Sequence, residues 1–287
     1  MGKFFITSAD RTRVAAWRND GEGTPVVISN GLGTPPSAWP VVTADPDLQV
    51  VTWYYRGTAG GSRPADPSRI TVTDHVADCL ALMDSEGIDR AAFACWSLGV
   101  NVGFEMALRH PDRVAGLMAV AGVPGGTFQA MFEPLRVPRR LRHRLGVAYA
   151  RTARRLGPAL DVVARHTPLT RTTARLISHS GFVLPAATPE HLIPALQEFR
   201  QHDFRWYFTL ALAGAEHEPM DLTKIDVPTT LVAGRWDVLT SSLDMAKIAR
   251  SMPDAEFKVL DGSHFLPLEF PDEMAADLKD LIARCDL

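Results

Sequence analysis

Short apolar runs bounded by turn residues recur along this chain. Several are continuous rather than alternating, which indicates strands buried on both faces of a parallel sheet. The first two are joined by the polar stretch ADRT and predict an opening hairpin. In chain order the runs are FFIT, RVAAW, TPVVISN, LQVVTWYY, AAFACW, GLMAVAG, TTLVAG and EFKVLDG.

Stretches with helical periodicity separate the later runs. In TVTDHVADCLALMDSEGI the apolar residues Val76, Leu80 and Met83 fall on one helical face, and Gly87 is a stop signal. A second helix follows Ser97 and ends near Pro111, because the residue before a proline disfavours helical geometry. Alternating strands and helices predict an α/β fold with a mostly parallel sheet.

The alternation is interrupted once, between residues 125 and 220. This helical segment carries 13 Arg and 7 acidic residues, a formal charge of +6, whereas the whole chain carries -3. The remainder therefore carries -9. We predict a core domain formed by residues 1–124 and 221–287, with a helical cap of residues 125–220 inserted in it.

The composition, net charge and cysteine count of the chain restrict the classes of function that it could have. At 287 residues, 46% hydrophobic and 22% charged, the chain is typical of a globular protein, and its net charge argues against nucleic-acid binding. Three cysteines without a CxxC spacing indicate a reducing compartment, so we expect a cytoplasmic protein. No apolar run approaches membrane-spanning length, and we expect neither a metal nor a cofactor, since no ligand cluster or dinucleotide fingerprint is present.

Ser97 follows the apolar run AAFACW directly and precedes a helix. A strand-to-helix turn this tight needs small residues two positions away on each side, and Cys95 and Gly99 are small. Such a turn exposes a serine hydroxyl at a helix N-terminus, where it could act as a nucleophile. Taken alone, Ser97 fits a helix N-cap equally well.

Two later strand runs end in the residue types that a nucleophilic serine requires. Asp237 follows TTLVAG, and His264 follows EFKVLDG, so the chain order is serine, acid, histidine. His264 is the one histidine after Asp237, which makes it the candidate base. Asp261 is a weaker candidate acid because it lies so close to His264 in sequence. A structural role for Asp237 in capping the next helix stays open.

The backbone around two leucines could stabilise a negatively charged oxygen. The Leu98 N–H lies at the start of the helix after Ser97, and the Leu32 N–H lies in the glycine-containing turn Asn30-Gly31-Leu32-Gly33. Trp39 and Trp96 could line a substrate pocket near Ser97, or could be core residues.

These motifs together resemble the α/β-hydrolase superfamily over essentially the whole chain. The resemblance lies in NGLG, YYRGTAGGS, CWSLG, GRWD and GSHF, and it implies an eight-stranded, mostly parallel sheet with a helical cap inserted after strand six. Two residues depart from the usual pattern, because Asn30 replaces a histidine and Cys95 replaces a glycine. The oxyanion loop also resembles that of 3-oxoadipate enol-lactone hydrolases, whereas the elbow and cap look more like the esterase and lipase branch.

The resemblance and the residues together predict a serine hydrolase that cleaves a carboxylic ester with an apolar acyl or alcohol part. Ser97, His264 and Asp237 would form the catalytic triad, and Leu32 and Leu98 the oxyanion hole. A lactone hydrolase, a cofactor-free perhydrolase or haloperoxidase-like enzyme, and a ligand-binding protein without catalysis are the alternatives. The oligomeric state is left open.

The arginine-rich run VPRRLRHRLGVAYARTARRLG has Leu141, Leu145 and Ala148 on one helical face. Such a basic amphipathic helix could rest on an anionic lipid surface. Only five of the 30 basic residues are lysine, so the arginines could equally reflect coding preference. From sequence alone we favour a solvated cap helix.

Overall fold

Eight strands form one sheet in this structure, a computed structural model that describes residues 2–132 and 135–287. In chain order the strands are β1 (Gly2–Thr7), β2 (Arg13–Arg18), β3 (Thr24–Ser29), β4 (Leu48–Trp53), β5 (Ala91–Trp96), β6 (Val114–Val120), β7 (Thr229–Gly234) and β8 (Ala255–Leu260). They lie in the order β1-β2-β4-β3-β5-β6-β7-β8. β2 runs antiparallel to both β1 and β4, and every later pairing is parallel. The predicted eight-stranded, mostly parallel sheet and its opening hairpin are confirmed.

Ten α-helices accompany these strands within the described residues. They are α1 (Pro40–Ala44), α2 (Val72–Ser85), α3 (Leu98–Arg109), α4 (Arg139–His166), α5 (Arg171–Ser178), α6 (Pro189–Phe199), α7 (Phe204–Ala215), α8 (Ser242–Ser251), α9 (Leu266–Glu269) and α10 (Pro271–Ala283). Short 3-10 turns lie at Pro36–Ala38, Pro111–Arg113, Thr127–Gln129 and Leu222–Lys224. Across the described ranges, none of these helices has both the length and the apolar character needed to cross a membrane.

The central strands are buried on both faces. Every residue of β5, β6 and β7 is buried, which explains why their sequences are continuously apolar. Alternate side chains of β5 enter separate cores, because Phe93 and Cys95 pack on one face of the sheet and Ala94 and Trp96 on the other. β5 is therefore held from both sides up to its last residue, immediately before Ser97.

Helices α4 to α7 lie between β6 and β7 and fall within the predicted cap of residues 125–220. α4 packs along α7 through small residues, and a Cβ atom added at Gly157 would lie 2.5 Å from the backbone nitrogen of Arg205. Glycine at this position therefore permits a close helix–helix approach. Glu133, one of the acids of this segment, lies outside the described residues, and the division into core and cap remains an interpretation.

The buried Arg56 links the turn after β1 to helix α2 through hydrogen bonds and ion pairs. The Arg56 side chain is 0% exposed, and its guanidinium donates to both carboxylate oxygens of Asp78 and, at 2.6 Å, to Asp10. Burial tends to raise the pKa of Asp78, but hydrogen bonds from His75 and Arg56 outweigh it and leave that pKa below its usual value. The Arg56 carbonyl oxygen in turn accepts a hydrogen bond from the Trp206 indole of α7 at 2.7 Å.

We expect Arg56→Ala to lower the free energy of unfolding by about 3–5 kcal/mol, because it leaves the buried Asp78 carboxylate without its cationic partner. Lys247→Ala is the control, since Lys247 forms an exposed ion pair with Asp244 and should change stability by about 0–1 kcal/mol. Urea unfolding of the three proteins measures both effects. Equal losses in the two variants would contradict this account of Arg56.

Candidate active site

Ser97 occupies a strained turn between β5 and α3. Its backbone angles are φ 54° and ψ -118°, a conformation that L-residues rarely adopt. The surrounding chain leaves no room for side chains, because a Cβ at Gly99 would lie 1.9 Å from the Ser29 carbonyl oxygen and one at Gly122 would lie 2.6 Å from the Ser97 carbonyl oxygen. The Ser97 side chain forms no N-cap hydrogen bond. It is half-buried and is therefore available for another contact.

Cys95 takes the place of a glycine in the usual elbow pattern, and its packing explains why it is tolerated. The thiol is buried against α3, where a Cβ at Gly103 would lie 2.2 Å from the Cys95 sulfur. The sulfur thus fills the space that the missing side chain of Gly103 leaves open. Burial raises the pKa of the Cys95 thiol, so this cysteine is a packing residue rather than a reactive thiolate.

The structure brings Ser97, His264 and Asp237 into one hydrogen-bonded chain. The distance from Ser97 Oγ to His264 Nε2 is 2.8 Å, and the distance from His264 Nδ1 to Asp237 Oδ2 is also 2.8 Å. A carboxylate only accepts hydrogen bonds, so Nδ1 carries a proton. In the neutral ring Nε2 is then free to accept the proton of the serine hydroxyl.

Asp237 is oriented by the backbone that follows it. Its second carboxylate oxygen, Oδ1, accepts hydrogen bonds from the Leu239 and Thr240 N–H groups at 2.7 and 2.8 Å. Helix α8 is capped by Ser241 instead, so Asp237 does not serve as its cap. Asp261, the weaker candidate acid, is exposed and pairs with Arg235.

A second carboxylate holds the loop that carries His264. Glu269 accepts hydrogen bonds from the N–H and the hydroxyl of Ser263 at 2.7 and 2.6 Å. The Trp96 indole N–H donates to the His264 carbonyl oxygen at 2.9 Å. These contacts fix the backbone on both sides of the imidazole, which is 6% exposed.

Asn30 anchors the turn that contains Leu32. Its side-chain oxygen accepts a hydrogen bond from the Trp39 indole at 2.9 Å, and its carbonyl oxygen accepts one from the Tyr55 hydroxyl at 2.9 Å. Gly31 lies against Ser97, since a Cβ there would lie 3.3 Å from Ser97 Cβ. Within residues 2–132 and 135–287, neither the Leu32 N–H nor the Leu98 N–H donates to an acceptor.

Trp39 and Trp96 are both 1% exposed. Their rings meet edge-to-face with centroids 6.4 Å apart, and their indole N–H groups bind Asn30 and the His264 backbone. This burial favours the core interpretation of the two tryptophans over the pocket-lining one. Their hydrogen bonds hold the turn that contains Leu32 and the loop that carries His264.

Helix α7 and His202, two residues before its start, contact the turn that contains Leu32. The His202 Nε2–H donates to the Gly33 carbonyl oxygen at 2.9 Å, and a Cβ at Gly33 would lie 2.7 Å from the Tyr207 ring. Gly33 has φ +74°, which also favours glycine. The sequence did not single out His202 or Tyr207 as neighbours of this turn, because they lie some 170 residues from Gly33 and no local pattern marks the contact.

Apolar side chains lie against the His264 imidazole and around Leu98. Phe265 follows His264, and the centroids of their rings are 5.7 Å apart. Phe182 from the inserted segment packs on Phe265, with ring centroids 5.2 Å apart. Leu98 packs beneath Gly214 of α7, where an added Cβ would lie 2.5 Å from the leucine side chain. Among the residues that the structure describes, no group of three or more His, Cys, Asp or Glu side chains could hold a metal ion.

Comparisons with known proteins agree with this architecture. Residues 24–271 match a family model described as alpha/beta hydrolase fold. The chain is 29% identical over 259 residues to a protein of Azorhizobium caulinodans that is named as a carbamate hydrolase, RutD, with 88% of each chain covered. It is 24% identical over 278 residues to the pimeloyl–acyl-carrier-protein methyl ester esterase of Photobacterium profundum, covering 94% of this chain and 99% of the relative.

A solved structure extends the likeness to three dimensions. The enol-lactonase from Burkholderia xenovorans LB400 superposes with a TM-score of 0.71 at 20% identity, covering 98% of this chain and 100% of the other. At this identity the likeness establishes a shared fold.

We expect Gly103→Ala to lower the free energy of unfolding by about 1–3 kcal/mol, because the new methyl group overlaps the Cys95 sulfur. Combining it with Cys95→Gly should recover most of that loss, since the deleted side chain vacates the same space. Thermal or urea unfolding of both single variants and the double variant measures this coupling. Additive losses in the double variant would show that the two positions do not share the space.

The His202→Phe variant tests the contact between His202, in the inserted segment, and Gly33, in the turn that contains Leu32. It keeps a ring but removes the donor to the Gly33 carbonyl, so we expect a loss of about 1–3 kcal/mol in stability near neutral pH. His202→Gln keeps an N–H donor and should lose less.

The stability difference between the wild type and the His202→Phe variant should also depend on pH. Burial lowers the pKa of His202, and the hydrogen bond to Gly33 only partly offsets this. As the pH falls, His202 is therefore protonated in the unfolded chain at a higher pH than in the folded protein. Wild-type stability should consequently fall as the pH drops from about 6.5 through the lowered folded pKa. The Phe variant lacks this contribution, so a stability difference from wild type that does not shrink in acid would contradict the assignment.

Proposed function

Because the chain belongs to the α/β-hydrolase fold family, we propose that it is a serine hydrolase that cleaves a carboxylic ester with an apolar acyl or alcohol part. The observation that carries this proposal is the hydrogen-bonded chain from Ser97 through His264 to Asp237, with 2.8 Å at each step. A serine hydroxyl needs an adjacent base to become an effective nucleophile, and a base needs an orienting group. All three roles have a candidate at this site.

In the proposed reaction His264 Nε2 takes the Ser97 proton while Oγ attacks the ester carbonyl carbon. The Leu32 and Leu98 N–H groups stabilise the oxyanion of the tetrahedral intermediate, and the dipole of α3 favours the same negative charge. The protonated imidazole, held by Asp237, gives its proton to the leaving alcohol. Water then cleaves the acyl-enzyme with His264 again acting as the base.

The surroundings of Ser97 support an apolar substrate. Leu32, Leu98 and Phe265 lie next to the proposed reacting groups, and Phe182 adds an aromatic ring from the inserted segment. Charged partners are missing from these contacts in the described part of the chain, so a charged acyl group would find no counter-ion. We propose that residues 125–220 act as a cap whose α7 closes the acyl side of the site.

Lactones and carbamates are the nearest alternative substrates. A lactone is an internal ester and would use the same nucleophile and the same oxyanion donors. The relatives bear names that include a carbamate hydrolase and a methyl ester esterase, so both bond types belong in a substrate screen. Perhydrolysis would use the same triad with peroxide replacing water, and a peroxide-dependent assay with acetate distinguishes it.

We expect Ser97→Ala to lower kcat by roughly 10⁶-fold and to abolish labelling by a fluorophosphonate probe, while leaving the unfolding temperature nearly unchanged. The probe should modify Ser97 in the wild-type protein, as mass spectrometry of the labelled peptide can establish. Ser85→Ala, on α2 and away from the site, is the matched control and should keep full labelling and activity.

The substrate screen is a series of p-nitrophenyl esters from acetate to palmitate, a lactone and a carbamate. Preference for uncharged, apolar acyl groups agrees with the proposal. Turnover that survives Ser97→Ala would overturn the serine mechanism. A folded wild-type protein that neither labels nor turns over any substrate would favour a ligand-binding role without catalysis.

A further inference from the structure

Helix α4 has three distinct faces. The face toward the protein is made of small residues, and it packs on α7 and on the turn around Phe128. At 3.6 residues per turn, two further faces lie roughly a third of a turn away on either side. One is apolar and the other is basic, and the side chains of both are exposed.

The apolar row of α4 is exposed. Its members recur at helical spacing, and each is 41% to 63% exposed: Leu141, Leu145, Tyr149, Leu156 and Val163. Single exposed apolar side chains are ordinary, but five of them share one side of this 28-residue helix. Tyr149 also contacts the Phe208 ring of α7 edge-to-face, with ring centroids 6.0 Å apart.

The basic row of α4 lies beside the apolar row. It consists of Arg140, Arg144, Arg151 and Arg155, all exposed. Among the described residues, no acidic side chain forms an ion pair with any of these four arginines. Asp161 is the single acidic residue of α4, against eight arginines, and the helix carries a formal charge of +7.

A basic recess opens between α4 and α7 next to this row. Its volume is about 410 Å³, and it is lined by Arg154, Arg155, Arg205 and Thr209. Three guanidinium groups and a hydroxyl, with no acid in the lining, form a donor set suited to a phosphate group.

We propose that the outer face of α4 docks on an anionic lipid surface, with the apolar row entering the acyl boundary and the arginines binding lipid phosphates. Interfacial helices combine an apolar face with a basic one in this way. Nucleic acid would use the arginines but would leave the apolar row exposed to water. A second copy of the chain, paired through α4, would bring two unpaired basic rows together. The structure thus favours membrane contact over the solvated helix that the sequence alone favoured.

Flotation with vesicles tests this surface on the full-length protein. We expect binding to vesicles of phosphatidylcholine with 30% phosphatidylglycerol, little binding to pure phosphatidylcholine, and weakening with added salt. Arg144→Gln/Arg151→Gln/Arg155→Gln should weaken binding by about fivefold for each arginine removed. Leu141→Ser/Leu145→Ser/Leu156→Ser should also weaken it, although it removes no charge.

The matched control, Arg11→Gln/Lys224→Gln/Arg250→Gln, removes three positive charges from elsewhere on the surface and should bind vesicles like the wild type. Circular dichroism establishes that each variant is folded. Binding to vesicles that is lost in both α4 variants and kept in the control supports the proposal.

Four outcomes would overturn it. The first three are no vesicle binding by the folded wild type, binding to DNA that depends on the arginines but not on the leucines, and a dimer in light scattering that the leucine variant dissociates. Competition by inorganic phosphate at millimolar concentration that removes all binding would also overturn the lipid assignment, since it would make the recess a site for free phosphate.

Discussion

The site depends on the strained backbone of Ser97. A conformation with φ 54° costs about 1–3 kcal/mol and persists only where the surroundings impose it. Here β5 is buried on both faces up to Trp96, and α3 begins at Leu98, so the chain has one residue in which to change direction. Gly99 and Gly122 give the neighbouring backbone the clearance that this turn requires. The hydroxyl is consequently presented toward His264 rather than used as a helix cap.

The inserted helices contact the same site through α7 and His202, two residues before the start of α7. Trp206 binds the Arg56 carbonyl, Tyr207 covers Gly33, and His202 donates to the Gly33 carbonyl. Two loops of the sheet, one of which carries Leu32, therefore contact one helix that the chain adds between β6 and β7. A change in the position of α7 would move the backbone next to Ser97, which links access to the site with its geometry.

The sequence predicted the fold well because the relevant signals are local. Short apolar runs bounded by turn residues located all eight strands, and Ser97 directly follows the end of β5. Chain order then selected Asp237 and His264, which the structure joins by hydrogen bonds. The contact of His202 with Gly33 and the buried charge cluster of Arg56 could not be anticipated, since each depends on packing between distant segments. For Trp39 and Trp96, only their burial in the folded chain separates the two interpretations, because an indole beside a site can line it or lie in the core.

The unequal distribution of charge makes the net charge a poor guide to how this protein behaves near other molecules. Residues 125–220 carry +6 and the remainder -9, although the sum is only -3. At physiological ionic strength electrostatic fields decay over about 8 Å, so an object approaching α4 is screened from most of the acidic core. The chain then acts as a polycation on one side and as an acidic protein on the other. Such a molecule has a permanent dipole that orients it in an external field. In diffusional encounters with a negatively charged surface, α4 would therefore face that surface.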